Sequence, residues 1–447
     1  MAGGTFDKLV GKVRPGTYIN FESARKDVLG GGERGICVVP LTGHDYGPVG
    51  EFIMLTAAAP DAEIKKLGYS IYAEDAGDQM LLIREAFKRA AVVYVYNPAT
   101  AGTKASGSSD GITAAAAYAG TRGNKLTYTV VENAIDGYDV EVFLDGESVG
   151  LLEGAADKDA VAAWDNGYIV FTAATGSLDE TAGVTLTGGT NGNVAALGVS
   201  TFLDALEGIK FNAVAFPFSD SSMIAALKTK IKYIRENVGK GVQAVVANVA
   251  GCDYEGIINV TNGVFLDKKA VTAAQATAWV AGATAAAKNV ESLTYVMYDG
   301  ATGVNGVKSH EQAVSAINAG ELFFSVSEAG AVVVEYDINS LVSFTGRKDK
   351  TYRKNRVIRV FDTFAEAVQL NFPPNKYNNN PDGWEIMEGI GRTILKQFED
   401  AGAIYNVDYD ADFTVDTSLS TGDETYFNVG LQATDSAEKL YFTVQTR

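Results

Sequence analysis

Histidine, cysteine and tryptophan are scarce in this chain: two, two and three residues among 447. The two histidines, His44 and His310, leave little material for imidazole catalysis or a metal centre. Cys37 and Cys252 lie far apart, each inside an apolar run (GICVV and NVAGC). They offer no disulfide framework and read as buried free thiols, in keeping with folding in a reducing cytoplasm. Basic charge is short as well, with 37 Lys and Arg against 55 Asp and Glu, a net charge of −18. That balance disfavours nucleic acid and anionic membrane surfaces, both of which attract cations. No run approaches the roughly 20 apolar residues that a membrane helix needs. The opening MAGGTFDKLVGKVRPG lacks the apolar stretch of a secretory signal, so none is expected.

What remains is an ordinary globular composition, 47% apolar and 21% charged. The length implies two to four domains. Residues 1–21 form a Gly-rich arm that ends in a short β-prone run, Thr17, Tyr18, Ile19, Asn20 and Phe21. A lone strand cannot stabilise itself and must find a sheet edge. Residues 22–98 read as strand, turn, strand, helix and strand. Met80, Leu82, Ile83, Ala86, Phe87 and Ala90 share one helical face, with Asp78 as the expected cap. Ala91–Tyr96 is a continuous apolar run of the kind found in a buried strand.

Composition shifts near residue 99. Residues 99–193 are rich in Gly, Thr, Ala and Asp, and carry short alternating strands with a hairpin signal at Asp145-Gly146. This segment reads as an inserted antiparallel β-sandwich. Residues 194–350 alternate strand and helix, including a strand expected at Leu293–Tyr298 and an Ala-rich helix capped at Thr272. This alternation predicts an α/β layer with a largely parallel sheet, completed by elements of residues 34–96. Residues 351–447 carry two helices, Arg353–Asn371 and Trp384–Ala401, and two strand runs, Thr425–Ala433 and Leu440–Val444. The fold class expected is therefore a multidomain α/β core with an all-β sandwich inserted in it. An α+β C-terminal domain follows, and both chain ends extend as arms.

The chemistry-bearing patterns fail on their surroundings. Gly107-Ser108-Ser109-Asp110-Gly111 has the spacing of a nucleophile elbow, but the residues before it look like a linker rather than a buried strand. Gly30–Gly35 is glycine-rich yet leads into a β run and lacks a phosphate-binding lysine, so it reads as a flexible joint. Asp408, Asp410 and Asp412 alternate, but Phe413 and Leu419 stand where a calcium loop needs Gly and Glu. They read as an acidic edge, solvated or facing a partner. No catalytic, cofactor or metal residues are assigned. On the Trp384–Ala401 helix, Trp384, Met387, Ile390, Ile394, Leu395 and Phe398 form an apolar stripe. Glu388, Arg392, Lys396 and Glu399 take other faces.

Five segments, taken in order, carry a resemblance: VRPGTYINFES, RGICVVPLTGHDYGPVGEF, EAFKRAAVVYVYNP, PDGWEIMEGIGRTILKQFEDAGAI and AEKLYFTVQ. Together with the domain order they resemble the tail sheath proteins of contractile phages and phage-tail-like bacteriocins. The resemblance implies a structural subunit, with no enzyme activity and no cofactor. Its copies would stack as six-membered rings around a tail tube protein and contract by rearrangement, with baseplate and tail terminator proteins as further partners. It would assemble in the host bacterial cytoplasm and reside in the virion or tail-like particle. It also implies that Thr17–Phe21 and Leu440, Tyr441, Phe442, Thr443 and Val444 are strands donated to the C-terminal sheets of neighbouring copies. Glu388, Arg392, Lys396 and Glu399 would be candidates for facing the tube. Two other readings stand beside it: a surface adhesin, motivated by the sandwich, and a hydrolase, motivated by the α/β segment.

Overall fold

The computed structural model describes residues 2–4, 16–18, 34–73, 76–100, 102–133, 135, 137–267 and 269–446. The centre is a seven-stranded sheet. Its strands are β1 (Ile36–Pro40), β2 (Phe52–Thr56), β3 (Val92–Tyr96), β4 (Ala213–Ala215), β5 (Gln243–Ala247), β6 (Ile257–Val260) and β7 (Glu321–Leu322). Their order is β7-β6-β5-β4-β1-β3-β2, all parallel except the antiparallel β2 edge. Cys37 sits beside Val93 on one side and Ala213 on the other.

Strands buried on both faces need apolar residues at consecutive positions, and these have them. Cys37, Val39, Val93, Val95, Ala215 and Val245 face one layer, formed by α1 (Gly77–Phe87) and α3 (Ala273–Ala286). Val38, Tyr96, Val214, Ala244 and Val246 face the other, under α2 (Ser221–Tyr233) and the helix Ala196–Ala205. Alternation along each strand thus feeds two cores from one sheet. α3 is buried along almost its whole length and built largely of alanine, which lets α1 lie close against it. A Cβ at Gly282 would stand 2.4 Å from the Ala86 carbonyl oxygen. Thr272 caps the helix, as the sequence implies, and the structure adds a reciprocal capping box with Gln275. Asp78, in contrast, does not cap α1. It sits inside the first turn and pairs with Lys269 at 2.6 Å, while Ala76 occupies the cap position.

The β-sandwich is inserted between β3 and β4. A four-stranded sheet holds Glu147–Ala155, Tyr138–Leu144, Leu126–Glu132 and Thr181–Thr185, and a three-stranded sheet holds Ile169–Ala173, Ile112–Ala116 and Ser106–Ser109. Asp145 and Gly146 both adopt positive φ, 54° and 86°, as a two-residue hairpin turn of this type requires. The Gly107–Gly111 segment is not a linker: Ser106–Ser109 is a strand paired with Ile112–Ala116, and Gly111 makes the turn. Entry and exit strands pair at Ala99–Val194 and Thr103–Thr190. Gly102 and Gly192 make that stem possible, since a Cβ on either would overlap the opposite backbone. At the base, Arg122 stacks over the Tyr69 ring at 4.0 Å, and Tyr69 donates to Asp45 at 2.8 Å.

The expected strand at Leu293–Tyr298 does not form. Backbone hydrogen bonds and a Met297–Val333 bridge tie Tyr295–Tyr298 to the free side of Val332–Val334, but Tyr295 takes a positive φ, 62°, and breaks the extended run. The helix expected from Arg353 begins at Asn355, after a short 3-10 turn at Lys350–Arg353.

Candidate assembly interface

The C-terminal unit is built on α5 (Asn355–Asn371) and α6 (Pro381–Asp400), with strands β8 (Phe413–Val415) and β9 (Phe427–Val429) laid against them. The Asn380 side chain caps α6 by accepting from the Gly383 N–H at 2.9 Å. Gly402, at φ 74°, closes the other end. The apolar stripe packs Ile394, Leu395 and Phe398 against Val360, Phe364 and Ala367. The Phe413 ring lies directly on Gly391, where a Cβ would meet it at 2.1 Å. Phe372 stacks on Phe413 with centroids 5.8 Å apart, and Phe427 completes the cluster.

Among the described residues, β8 and β9 pair only with one another. Antiparallel register runs from Phe413–Val429 to Val415–Phe427, extended by a bridge between Ile404 and Ala433. Two strands with free edges are a marginal sheet and a template for more.

The segment that follows is the one the resemblance names as donor. Leu440, Tyr441, Phe442 and Val444 are 67%, 89%, 82% and 84% exposed, and residues 440–446 form no ladder. Large apolar side chains in that number rarely stay in water without a partner. The root of the segment is held firmly. Glu438 receives hydrogen bonds from Ser292 at 2.8 Å and from the nearly buried Lys354 ammonium, and Arg356 donates to Ser436 at 2.7 Å. At the other end, Gly16–Tyr18 pairs in parallel with Ala2–Gly4, which gives Thr17 and Tyr18 a partner within the arm. This pair joins no other sheet among the described residues. Ile19, Asn20 and Phe21, and the Gly30–Gly32 joint, lie outside the described residues.

The four α6 side chains separate into two kinds. Glu388 accepts from the Val415 N–H at 2.9 Å and pairs with Arg392 at 3.2 Å, so it fixes β8 to the helix. Glu399 accepts from the Tyr409 hydroxyl. Lys396 is exposed and pairs with Asp400 at 3.2 Å. The alternating aspartates are turn-formers: Asp408 and Asp412 accept from backbone N–H groups of their own loop, and Asp410 remains exposed.

A buried polar network bolts this unit to the core. Asp337 and Arg359, 0% and 1% exposed, pair at 2.9 Å. Asn355 donates to Asp337 at 2.8 Å and accepts from Gln243 of β5 at 3.0 Å. Nearby, Arg235 grips Asp362 with both terminal nitrogens at 2.8 and 2.7 Å. Burial alone would raise the Asp337 carboxyl, but the Arg359 charge and the bonds from Leu293 and Asn355 hold it below its ordinary value. Nothing in the sequence pattern links these partners.

The groups a hydrolase would use are dispersed: His310 is exposed at the start of the helix His310–Asn318, far in sequence from Ser109 of the sandwich. His44 is buried, with Nε2 2.8 Å from the Leu67 carbonyl, and Ser109 Oγ lies 2.9 Å from the Tyr128 hydroxyl in the sandwich. Burial pushes the imidazole below its ordinary pKa.

Comparison with known proteins matches this layout. Models of four tail sheath regions match in succession: the Gp18 domain III N-terminal region over 34–97, the β-sandwich domain over 100–191, the central domain over 192–340 and the C-terminal domain over 347–447. The phage-like element PBSX protein XkdK of Bacillus subtilis strain 168 is 34% identical over the full length of both chains. The chain belongs to the phage tail sheath family. The crystal structure of the sheath tail protein of Desulfitobacterium hafniense is similar at 38% identity, with a TM-score of 0.83 over 96% of this sheath chain and 99% of that one. The Listeria innocua sheath tail protein is 32% identical, with a TM-score of 0.77 over 92% and 95%. The fold, without close sequence kinship, extends to the helical sheath of the anti-feeding prophage, at 14% identity and a TM-score of 0.55.

Proposed function

We propose that this chain is the subunit of a contractile tail sheath. It polymerises into stacked hexameric rings around a tail tube, and contracts by subunit rearrangement to drive the tube through a cell envelope. The observation that carries the reading is the pairing of opposites within one molecule: an apolar, exposed and unpaired Leu440–Val444, and a two-stranded sheet with open edges. Main-chain hydrogen bonds join such partners with little dependence on side-chain identity. Each contributes only about 0.5–1.5 kcal/mol, but a five-residue strand with buried side chains holds through rotation of the bodies it connects.

In this reading the bodies are residues 22–98 with 194–350, the sandwich 99–193 and the unit 351–447. The Asp337–Arg359 network ties the core to the C-terminal unit, so in this reading movement falls on the segment after Lys439 and on the glycine stem of the sandwich. Contraction draws on the free-energy difference between two packings and needs no nucleotide. The exposed face of α6, with Lys396, is the candidate for facing the tube. Baseplate and terminator proteins would bound the polymer, which assembles in the bacterial cytoplasm and becomes part of a phage or tail-like particle.

Negative-stain microscopy of the purified protein tests the reading. Hollow cylinders are expected from the full chain, and folded monomers from a chain ending at Lys439. Cylinders of normal form from the shortened chain would refute it.

A further inference from the structure

We propose that a basic cavity at the root of the C-terminal arm is a socket for a carboxylate side chain of another copy of this chain. The inference rests on the sheath reading, because it requires a second copy. The cavity, about 390 Å³, lies between the C-terminal end of α4 (His310–Asn318), Tyr336 and the turn that leads into α5. Lys350, Arg353, Lys354 and Lys439 line it, and no carboxylate does.

These cations differ in what they already hold. Lys354 is neutralised by Glu438 and lies 4.2 Å over the Tyr336 ring, and Lys439 sits over the same ring at 5.5 Å. Arg353 holds nothing. Its Nε and Nη2 are buried and have no hydrogen-bond partner among the described residues. A buried donor without an acceptor is costly, and a guanidinium more so. Burial accordingly pushes Arg353 below its ordinary pKa. Three other arginines of this chain face an aspartate, Arg89 with Asp299, Arg235 with Asp362 and Arg359 with Asp337, while Arg34 and Arg84 donate to backbone carbonyls. Arg353 has the same planar fork, suited to a carboxylate, and lacks one. The turn that presents it is rigid, since Asn339 donates to the Arg353 carbonyl at 2.9 Å from its backbone and to the Tyr352 carbonyl at 2.8 Å from its side chain.

Two further facts favour another copy as the source. A chain with 55 acidic residues and a net charge of −18 carries carboxylates in excess of its own cations. The cavity also stands where copies would meet, because Lys439 on its rim is followed at once by the exposed Leu440–Val444. A carboxylate seated there satisfies Arg353 only in the polymer, adding charge complementarity to the main-chain pairing of the arm.

The test uses polymer grown from an equal mixture of ¹⁵N-labelled and unlabelled full chain, treated with a carbodiimide that couples lysine amines to carboxylates. Mass spectrometry should find heavy–light peptide pairs joining Lys350 or Lys439 to an acidic peptide, in polymer and not in monomer. Arg353→Gln should raise the protein concentration needed for polymerisation about tenfold, equivalent to about 1.4 kcal/mol. Lys350→Gln, at an exposed residue, should raise it less and keeps the test decisive if the arginine variant folds poorly. Cross-links confined to single copies, with unchanged polymerisation of Lys350→Gln and of folded Arg353→Gln, would overturn the proposal while leaving the sheath reading intact. Stabilisation of the monomer by inorganic phosphate, with no intermolecular cross-link, would overturn it in favour of a free-anion site. A wild-type chain that never polymerises overturns the sheath reading itself.

Discussion

The two sheets of this protein that matter most are opposites. The seven-stranded sheet is finished within one chain: helices cover both faces, and Val38, Val39, Val93, Val95 and Ala213 are fully buried. The β8–β9 sheet is short, covered by α6 on one side, and pairs with no third strand among the described residues. The same chain that buries its central strands so completely leaves Tyr441 and Phe442 in water. Under the proposed function, the difference means that stability and assembly are assigned to separate parts. Each can therefore be broken without the other.

The largest expected effect lies in assembly. Ending the chain at Lys439 should abolish polymerisation in sedimentation assays, yet leave the thermal midpoint of the monomer within a few degrees of the parent, because residues 440–446 are all exposed. Next is the buried bolt. Asp337→Ala strands the Arg359 charge and should cost about 3–5 kcal/mol in denaturant unfolding. The sign with pH follows from the depressed carboxyl. Its stabilisation is complete above the unfolded value of about 3.9 and is lost as pH falls through the lower folded value. The acid-side loss of stability should therefore be shallower in the variant. Third, Gly391→Val drives a side chain into the Phe413 ring and should cost about 1–3 kcal/mol. It displaces β8, so polymerisation should fall by more than the stability loss explains. Smallest is Lys396→Glu on the exposed face of α6, where monomer stability should change by about 0.5 kcal/mol or less. If that face meets the tube, co-sedimentation with tube protein should weaken while sheath self-assembly does not.

Much of the first sheet was legible in the sequence because its signals are local. Val92–Tyr96 is apolar at every position, and outside that sheet Thr272 marks a helix start and Asp145-Gly146 specifies a hairpin turn of the sandwich. The second sheet was legible in part: β9 lies within the strand run Thr425–Ala433, whereas β8 carried no signal of its own. Three features were out of reach. Ser106–Ser109 looks like a linker, since its strand character comes from the partner strand Ile112–Ala116 and not from its own polar residues. Leu293–Tyr298 has strand composition and bonds to Val332–Val334, but a positive φ at Tyr295 breaks its extension. The pairing of Asp337 with Arg359 and the lack of any partner for Arg353 depend on where distant segments meet, which periodicity does not encode.

Assembly through the C-terminal arm turns on the fate of one segment, which electron cryomicroscopy of the polymer would show most directly. Leu440–Val444 should be hydrogen-bonded along a free edge of the β8–β9 sheet of a different copy. A reconstruction in which that segment folds back on its own chain, or hangs free between well-packed subunits, would contradict it.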